Sequence, residues 1–276
     1  MSRITTGAAP VRLADTLTGP GLLAAAANVI MQLGRPEVGY GVVESRVESG
    51  QLFRHPIKRQ RTTLTYLAVA IRGNELERRA FRDGVDRVHA QVRSTPSSPL
   101  AYNAFDEDLQ LWVAACLYKG LEDVQQAFGG GLDPDDAARL YRESAVLGTT
   151  LQVKAHSWPA DREAFERYWT EGLAAVSIDD TVRRYLTDVM MMRFLPRVIS
   201  APLGPFNRFV TSGFLPPVFR EQMHLTWSDT HQRWFDRFTG LLGAVLRRLP
   251  PALQQFPYNA HMWELRRRIR TGRPLV

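Results

Sequence analysis

Apolar residues recur along most of the chain at the three- and four-residue spacing of amphipathic helices. The clearest case lies in residues 82–93, where Val85, Val88 and Val92 fall at i, i+3 and i+7. His89 lies on the same stripe, four residues after Val85 and three before Val92. It is either a core histidine whose second nitrogen finds a carbonyl partner or an imidazole that faces a metal or cofactor. The spacing alone leaves both interpretations open.

Capping signals mark the starts of several predicted helices. Asn74, followed three residues later by Glu77, has the form of a capping box and opens the helix that carries His89. That helix is expected to continue to the turn-forming STPSSP segment at 94–99. Asp106 is expected to cap the next helix. A further helix is expected to begin at Pro134, with Asp133 as its cap. A Gly- and Pro-rich loop after residue 33 and clusters such as SAPLGP and GFLPP separate the other predicted helices. These cover 21–33, 56–73, 160–176, 179–194, 229–249 and 259–271.

The pattern as a whole predicts an all-α protein. The chain shows no alternating strand pattern or internal repeat, and 276 residues with 45% hydrophobic content allow one sizeable core. We expect residues 1–20 to be a loosely structured N-terminal segment and residues 21–276 to form a single mainly helical domain. The apolar run at 21–33 is too short to span a bilayer, and no signal-type segment leads into it, which favours a cytoplasmic protein.

The composition excludes several classes of function. The single cysteine, Cys116, rules out an internal disulfide and a thiolate cluster for zinc or iron–sulfur. The net charge of +7 comes from scattered arginines without aromatic interleaving, so we expect no nucleic-acid partner. The one dense basic run, LRRRIRTGR at 265–273, is either a solvated helix face and tail or a contact with anionic lipid or a protein partner. The oligomeric state stays open.

The common catalytic motifs are absent from the sequence. GGG at 129–131 lacks the lysine of a phosphate-binding loop, and the chain has neither G-x-S-x-G nor H-E-x-x-H. His224 and His231 flank Ser228, where a helix-capping turn explains them better than a metal site. A hydrolase or zinc enzyme is therefore not indicated.

A polar turn opens the helix predicted for residues 56–73. Lys58, Arg61 and Thr62 share one face through the i, i+3 and i+4 relation, at the mouth of an apolar segment. This turn is either a solvated helix start or, together with a buried His89 on the next helix, the polar side of a cofactor pocket.

Several segments in order resemble the oxygenase family named for the MpaB side-chain-cleaving enzyme of mycophenolic acid biosynthesis, which includes the catalytic domain of latex clearing protein, a rubber oxygenase. The resemblance covers roughly residues 20–272 and rests on the order and spacing of the segments. They are GVVES (41–45), the K-x-x-R-T pattern of Lys58, Arg61 and Thr62, RVHAQV (87–92), YNAFDEDLQLWV (102–113), WPADREAFERYW (158–169) and LPPVFRE with a downstream LPP and basic tail (215–273).

The resemblance implies a fold, a cofactor and site residues. Characterised members are mainly helical proteins that bind haem b, and rubber oxygenases have globin-like helix packing around the haem. His89 matches the proximal iron ligand of the family. Lys58, Arg61 and Thr62 match the polar residues of the distal side. Glu44 falls near the acidic residue proposed as a base in rubber oxygenase.

The chain also departs from its relatives. Arg35 and Ala114 stand where many of them have histidine, and Arg61 stands where rubber oxygenases have a lysine. With no export signal, these departures favour a small, largely apolar intracellular substrate over polyisoprene. The leading hypothesis is a haem b-dependent oxygenase that uses O2 or peroxide to oxidise or cleave such a substrate. The alternatives are a non-catalytic helical module that binds haem, a partner or a membrane, and a haem enzyme of peroxidase-like or oxidative cyclisation chemistry.

Overall fold

The computed structural model describes residues 11–47 and 51–276, which fold into one all-α domain, as the sequence predicts. The helices are α1 (Leu13–Thr16), α2 (Ala25–Leu33), α3 (Pro36–Val43), α4 (Pro56–Arg72), α5 (Glu75–His89), α6 (Glu107–Val124), α7 (Pro134–Glu143), α8 (Val146–Thr149), α9 (Arg162–Ala174), α10 (Asp180–Met190), α11 (Arg197–Phe214), α12 (Pro217–Gln222), α13 (Asp229–Leu246), α14 (Pro251–Gln254) and α15 (Tyr258–Arg270). β structure within the described residues is limited to an isolated bridge between Arg93 and Asn103. None of the described helices combines the length and the apolar character needed to cross a bilayer.

Helix α6 lies in the hydrophobic core and packs against α2 and α8. Its Trp112 is fully buried and donates its indole N–H to the carbonyl oxygen of Met31 on α2 at 3.2 Å. The same ring stacks on Trp169 of α9 with the centroids 5.2 Å apart. Gly172 leaves room for it, because a Cβ at that position would lie 2.4 Å from the indole. Truncating a buried tryptophan lowers the free energy of unfolding by about 3–5 kcal/mol, so the packing of Trp112 contributes strongly to the attachment of α9 to α6.

Capping contacts confirm three of the predicted helix starts. At α5, Asn74 Oδ1 accepts the N–H of Glu77 at 2.9 Å, and the Glu77 carboxylate accepts the N–H of Asn74 at 2.9 Å. Asp106 caps α6 and Asp133 caps α7, each by accepting backbone N–H groups of the first turn. Because one such cap contributes about 1 kcal/mol within a few residues of sequence, these starts follow from the sequence.

Helix α5 ends earlier than the sequence predicts. Its last residue is His89, so the prediction that Val92 belongs to the helical stripe is wrong, and the helix stops four residues short of the STPSSP segment. The N–H of Val92 bonds the carbonyl oxygen of His89 at 2.9 Å, and the Val92 carbonyl accepts the N–H of Ala104 at 3.0 Å. These bonds fold the next segment back along the helix end. His89 therefore lies at a helix terminus with a loop beside it.

Two helices occupy segments that the sequence predicts as loops. Helix α3 begins at Pro36. Proline is tolerated in the first turn of a helix, because the N–H group that it lacks would have no partner within the helix there. Helix α11 runs through the SAPLGP segment with Pro202 and Pro205 inside it. These two prolines are exposed, whereas Gly204 and Val210 of the same helix are buried. Tertiary packing of the buried side thus maintains a helix across residues that break isolated helices.

The segment predicted to be loosely structured lies partly outside the described residues, which begin at Val11. Its described part forms α1 and enters a 3₁₀ turn. Leu13 and Leu17 are buried in the core, and the N–H of Leu13 bonds the carboxylate of Glu143 on α7 at 3.0 Å. This part of the segment is therefore joined to the helical domain.

Helices α4 and α5 form an antiparallel hairpin around Asn74. Tyr66 of α4 stacks on Phe81 of α5 with the ring centroids 6.2 Å apart. In such a hairpin, residues at equal distances from the turn lie opposite each other. This register brings Arg59 level with His89, because both lie equally far from Asn74 along the chain. Helix α15 packs on α4 as well.

Candidate functional site

His89, at the end of α5, has a partly buried side chain. Its Nδ1 atom is buried and has no hydrogen-bond partner among the described residues. The ring meets Phe105 edge-on with the centroids 6.2 Å apart. Burial lowers the pKa of His89, and the positive charge of Arg59 lowers it further, against two weaker opposing effects. The imidazole is therefore neutral at neutral pH and keeps the lone pair that a metal ligand requires.

Arg59 on α4 is the cation that acts on His89. Its charge also acts on Tyr185 of α10, so the three side chains lie around one space. Arg59 is exposed to solvent, although nearby protein atoms partly desolvate it and lower its pKa. It therefore lies at the open edge of the group that it forms with His89 and Tyr185. The guanidinium stays protonated and gives this region a fixed positive charge.

Aromatic rings lie on both sides of this region. Tyr185 meets Phe53 edge-on at 5.3 Å between centroids, and Phe53 meets Phe194 at 6.4 Å. Phe105 borders the ring of His89 from the loop before α6. Phe53 and Phe105 keep 39% and 40% of their surface exposed. Large apolar rings left accessible beside a few polar groups are typical of a binding site for a mainly apolar ligand.

Gln152, in the turn after α8, bonds Asp86 and lies beside His89. Its Nε2 donates to the Asp86 carboxylate, and its Oε1 is buried without a hydrogen-bond partner among the described residues. The Gln152 side chain also raises the pKa of His89, which places it beside the imidazole. A small rotation therefore lets a proton on Nδ1 of His89 bond Oε1 of Gln152, which satisfies two buried atoms at once. In that tautomer Nε2 carries the free lone pair.

Arg61 lies on a different side of α4 from Arg59. Its charge lowers the pKa of His261 on α15, although burial is the larger cause of that shift. Thr65, one turn further along α4, has its hydroxyl oxygen 3.5 Å from Nδ1 of His261. The structure thus brings Arg61 towards α15, because two residues correspond to about 200° of rotation around a helix. The distal role that the resemblance implies for Arg61 stays a prediction.

Lys58, Thr62 and Glu44 make contacts that stabilise local structure. The Thr62 hydroxyl donates to the carbonyl oxygen of Lys58 at 3.0 Å, within α4. The Glu44 carboxylate, at the end of α3, accepts the hydroxyls of Ser98 at 2.6 Å and Tyr102 at 2.9 Å. These bonds hold the loop between α5 and α6 against α3. Site roles for Lys58, Thr62 and Glu44 stay predictions.

The remaining candidate ligands have structural contacts. His231 completes a capping box with Ser228 at the start of α13, which confirms the capping interpretation. Cys116 is buried in the core, and burial raises the pKa of its thiol, so it is an inert residue. In the part of the chain that the structure describes, no three His, Cys, Asp or Glu side chains form a group that could hold a metal ion. A haem iron does not require such a group, because the porphyrin supplies four ligands and the protein an axial one.

Comparison with known proteins identifies a family. The family model described as "ER-bound oxygenase mpaB/B'/Rubber oxygenase, catalytic domain" matches residues 15–244. The chain belongs to this family. It is also 49% identical over 255 residues to an uncharacterised protein of Mycobacterium tuberculosis and, to the same extent, to one of Mycobacterium bovis. Each match covers 92% of this chain and 100% of the relative. No solved structure matches the chain.

The site of this mpaB and rubber oxygenase family member contains two residues that the sequence analysis does not single out. Arg59 has a signal in the sequence, since it lies as far before Asn74 as His89 lies after it. Gln152 has none, because it reaches His89 from a turn distant in the chain. Both lie within the matched oxygenase domain.

Proposed function

We propose that this chain is a haem b-dependent oxygenase that uses O2 or peroxide to oxidise or cleave a small, largely apolar substrate. Membership of the oxygenase family supports the reaction class. The observation that carries the cofactor is His89, a neutral, partly buried imidazole beside the Phe105 ring, whose unpartnered Nδ1 and the unpartnered Oε1 of Gln152 can satisfy each other and leave Nε2 as the ligand atom. When bound, haem supplies the oxidation chemistry, while the protein sets the axial ligand, the polarity and the access.

His89 would hold the iron through Nε2. After a small rotation, Oε1 of Gln152 would accept the Nδ1 proton of that ring, while Nε2 of Gln152 donates to the Asp86 carboxylate. A histidine oriented in this way keeps one tautomer and one ring orientation, which makes it a stronger ligand than a freely rotating one. Asp86 and Gln152 are thus positioning residues that act through His89.

Arg59 and the aromatic rings would define the rest of the site. The exposed guanidinium, beside His89, would donate charge-assisted hydrogen bonds to an anionic group of the cofactor. Phe53, Phe105 and Tyr185 would contribute apolar surface to the substrate. A small molecule rich in carbon fits this lining better than a charged one.

Haem titration of the purified chain tests the cofactor assignment. The wild-type protein is expected to develop a Soret band with a defined end point, and His89→Ala is expected to lose most of the bound haem while its helical content is unchanged. His261→Ala is a matched control, because His261 is also partly buried beside α4 but lies on the side of Arg61. Full haem content and an unchanged ferric spectrum in His89→Ala would show that the axial assignment is wrong.

Turnover with isotopically labelled O2 tests the reaction class. Label from O2 in the product of an apolar unsaturated substrate supports an oxygenase. Turnover that requires peroxide and leaves no label from O2 supports the peroxidase-like alternative. A wild-type protein that takes up no haem would contradict both and favour a non-catalytic module.

A further inference from the structure

The outer sides of α11 and α13 carry large apolar side chains that the rest of the described chain leaves uncovered. Trp234 and Leu241 on α13 are 60% and 71% exposed, and Val198 on α11 is 83% exposed. Trp234, Leu241 and Val245 follow each other at spacings of seven and four residues, so they lie on one side of α13. Soluble proteins seldom expose such a contiguous apolar face without a binding role.

The two helices join into one surface, here called the apolar face. Their rings touch at Phe206 with Phe238, 5.5 Å between centroids, and at Phe209 with Phe235, 6.4 Å. These two pairs fix an antiparallel register. That register places Leu203 of α11 level with Leu241 of α13, so the exposed residues of the two helices lie side by side. The apolar face consists of Val198, Ile199, Leu203 and Phe206 on α11 and of Trp234, Leu241 and Val245 on α13.

Arginines in α13 and just after it lie beside the apolar face. The guanidinium of Arg237 lies over the Trp234 ring, 5.7 Å from its centroid. Arg248 follows Val245 by three residues and bonds the end of α13 through the Ala244 carbonyl. Helix α11 contains no acidic residue. Asp236 of α13, two residues from Trp234, points to the opposite side of the helix.

We propose that the apolar face binds the surface of a membrane that contains anionic phospholipids. Tryptophan, leucine and valine side chains partition into the boundary between head groups and acyl chains, and adjacent arginines bind the lipid phosphates. A bilayer supplies hydrocarbon and negative charge together, which matches both features of this face. A second copy of the chain fits less well, because a symmetric contact would bring the arginines of the two copies together on faces whose Arg237 and Arg248 find no carboxylate there.

The basic C-terminus is a weaker candidate for the same contact. Arg266 binds the carboxylate of Glu77 at 2.8 Å, and Arg268 binds that of Glu264 at 2.8 Å. Two of its charges are therefore paired within the chain. Trp263 and Ile269 of α15 are also exposed, at 60% and 39%, but the apolar face presents seven exposed apolar residues on two adjacent helices. Membrane contact is consequently assigned to α11 and α13.

Vesicle co-sedimentation of the full chain tests this proposal. The probes are phosphatidylcholine vesicles with and without phosphatidylglycerol, at low and raised salt. Wild-type protein is expected to bind the anionic vesicles more tightly, and salt is expected to weaken the binding. The double variant Trp234→Ser, Leu241→Ser is expected to bind at least about tenfold more weakly, since burying even one such side chain has that effect. The double variant Arg237→Gln, Arg248→Gln is expected to lose roughly 25-fold on anionic vesicles alone.

Matched controls come from α5, where Leu76 is 74% exposed and Arg79 is an exposed arginine. Leu76→Ser and Arg79→Gln are expected to bind vesicles as the wild-type protein does. All substituted positions are exposed, so the variants are expected to fold normally, with unchanged circular dichroism. Equal binding by the apolar-face variants and the wild type would overturn the proposal. A second pair of results would also overturn it. The wild-type protein would bind no vesicles, and sedimentation velocity would show a dimer that dissociates in the Trp234→Ser variant.

Discussion

Two substitutions on α4 test which side of that helix belongs to the site. Arg59 lies beside His89 and Arg61 beside His261, and each arginine lowers the pKa of its own histidine. Arg59→Gln is therefore expected to raise the pKa of His89 and leave that of His261 unchanged. Arg61→Gln is expected to do the reverse. The two variants have the same substitution on the same helix and differ only in the side that they change.

The expected effect on haem binding follows from the surroundings of the two guanidinium groups. Arg59 is exposed but lies beside His89, so a charge-assisted hydrogen bond from it to an anionic group of haem is expected to contribute at the screened, lower end of the usual range of about 1.5–3 kcal/mol, or roughly tenfold in Kd. Arg61 acts on the partly exposed groups His261 and Glu264, where an ion pair contributes about 0–1 kcal/mol. Arg59→Gln is thus expected to weaken haem binding about tenfold, and Arg61→Gln by less than about fivefold.

The assay combines two independent measurements. Imidazole proton resonances of the haem-free protein, followed over pH by NMR, give the two histidine pKa values. A haem titration followed in the Soret region gives Kd. The first measurement tests the register of the α4–α5 hairpin without any cofactor. If Arg61→Gln shifts the pKa of His89, or weakens haem binding more than Arg59→Gln does, the register is wrong and Arg61 occupies the site as the K-x-x-R-T pattern implies.

Two further predictions concern stability, measured by urea denaturation. Gly172→Ala is expected to cost about 1–3 kcal/mol because its Cβ would overlap the Trp112 ring, whereas Gly240→Ala, in a helix with open space around it, is expected to stabilise by about 0.5–1 kcal/mol. Equal effects would contradict the packing of α9 on α6. Burial raises the pKa of Asp123 from 3.8 to about 6, so ionisation costs stability as pH rises through that window. Asp123→Asn is expected to be more stable than wild type above about pH 6, by up to about 3 kcal/mol, and equal to it below about pH 4; an advantage that grows towards low pH would refute this.

Helix starts are predictable here because the signal is local. The Asn74 and Glu77 side chains bond backbone groups three residues away, so these hydrogen bonds do not depend on residues distant in the sequence. The same holds for Asp106, Asp133 and Ser228. The all-α class follows in the same way from spacing alone.

Helix ends and interruptions are less predictable because they depend on partners distant in sequence. The end of α5 at His89 depends on the bond between Val92 and Ala104, which the apolar stripe cannot reveal. The continuity of α11 across Pro202 and Pro205 depends on burial of its other side. In both cases a tertiary contact outweighs the local preference of the residues.

The candidate site combines both kinds of information. The resemblance and the spacing single out His89, which the structure leaves neutral with an unpartnered buried nitrogen. The same sources place the polar partners on Lys58, Arg61 and Thr62, yet a pattern of residue types does not fix a helix face. Neighbouring residues of a helix point in directions about 100° apart. A change of one or two positions along the helix can therefore direct a side chain towards a different neighbouring helix. For α4 those neighbours are α5 and α15, so the short turn at Asn74, which sets the register, decides which arginine meets the imidazole.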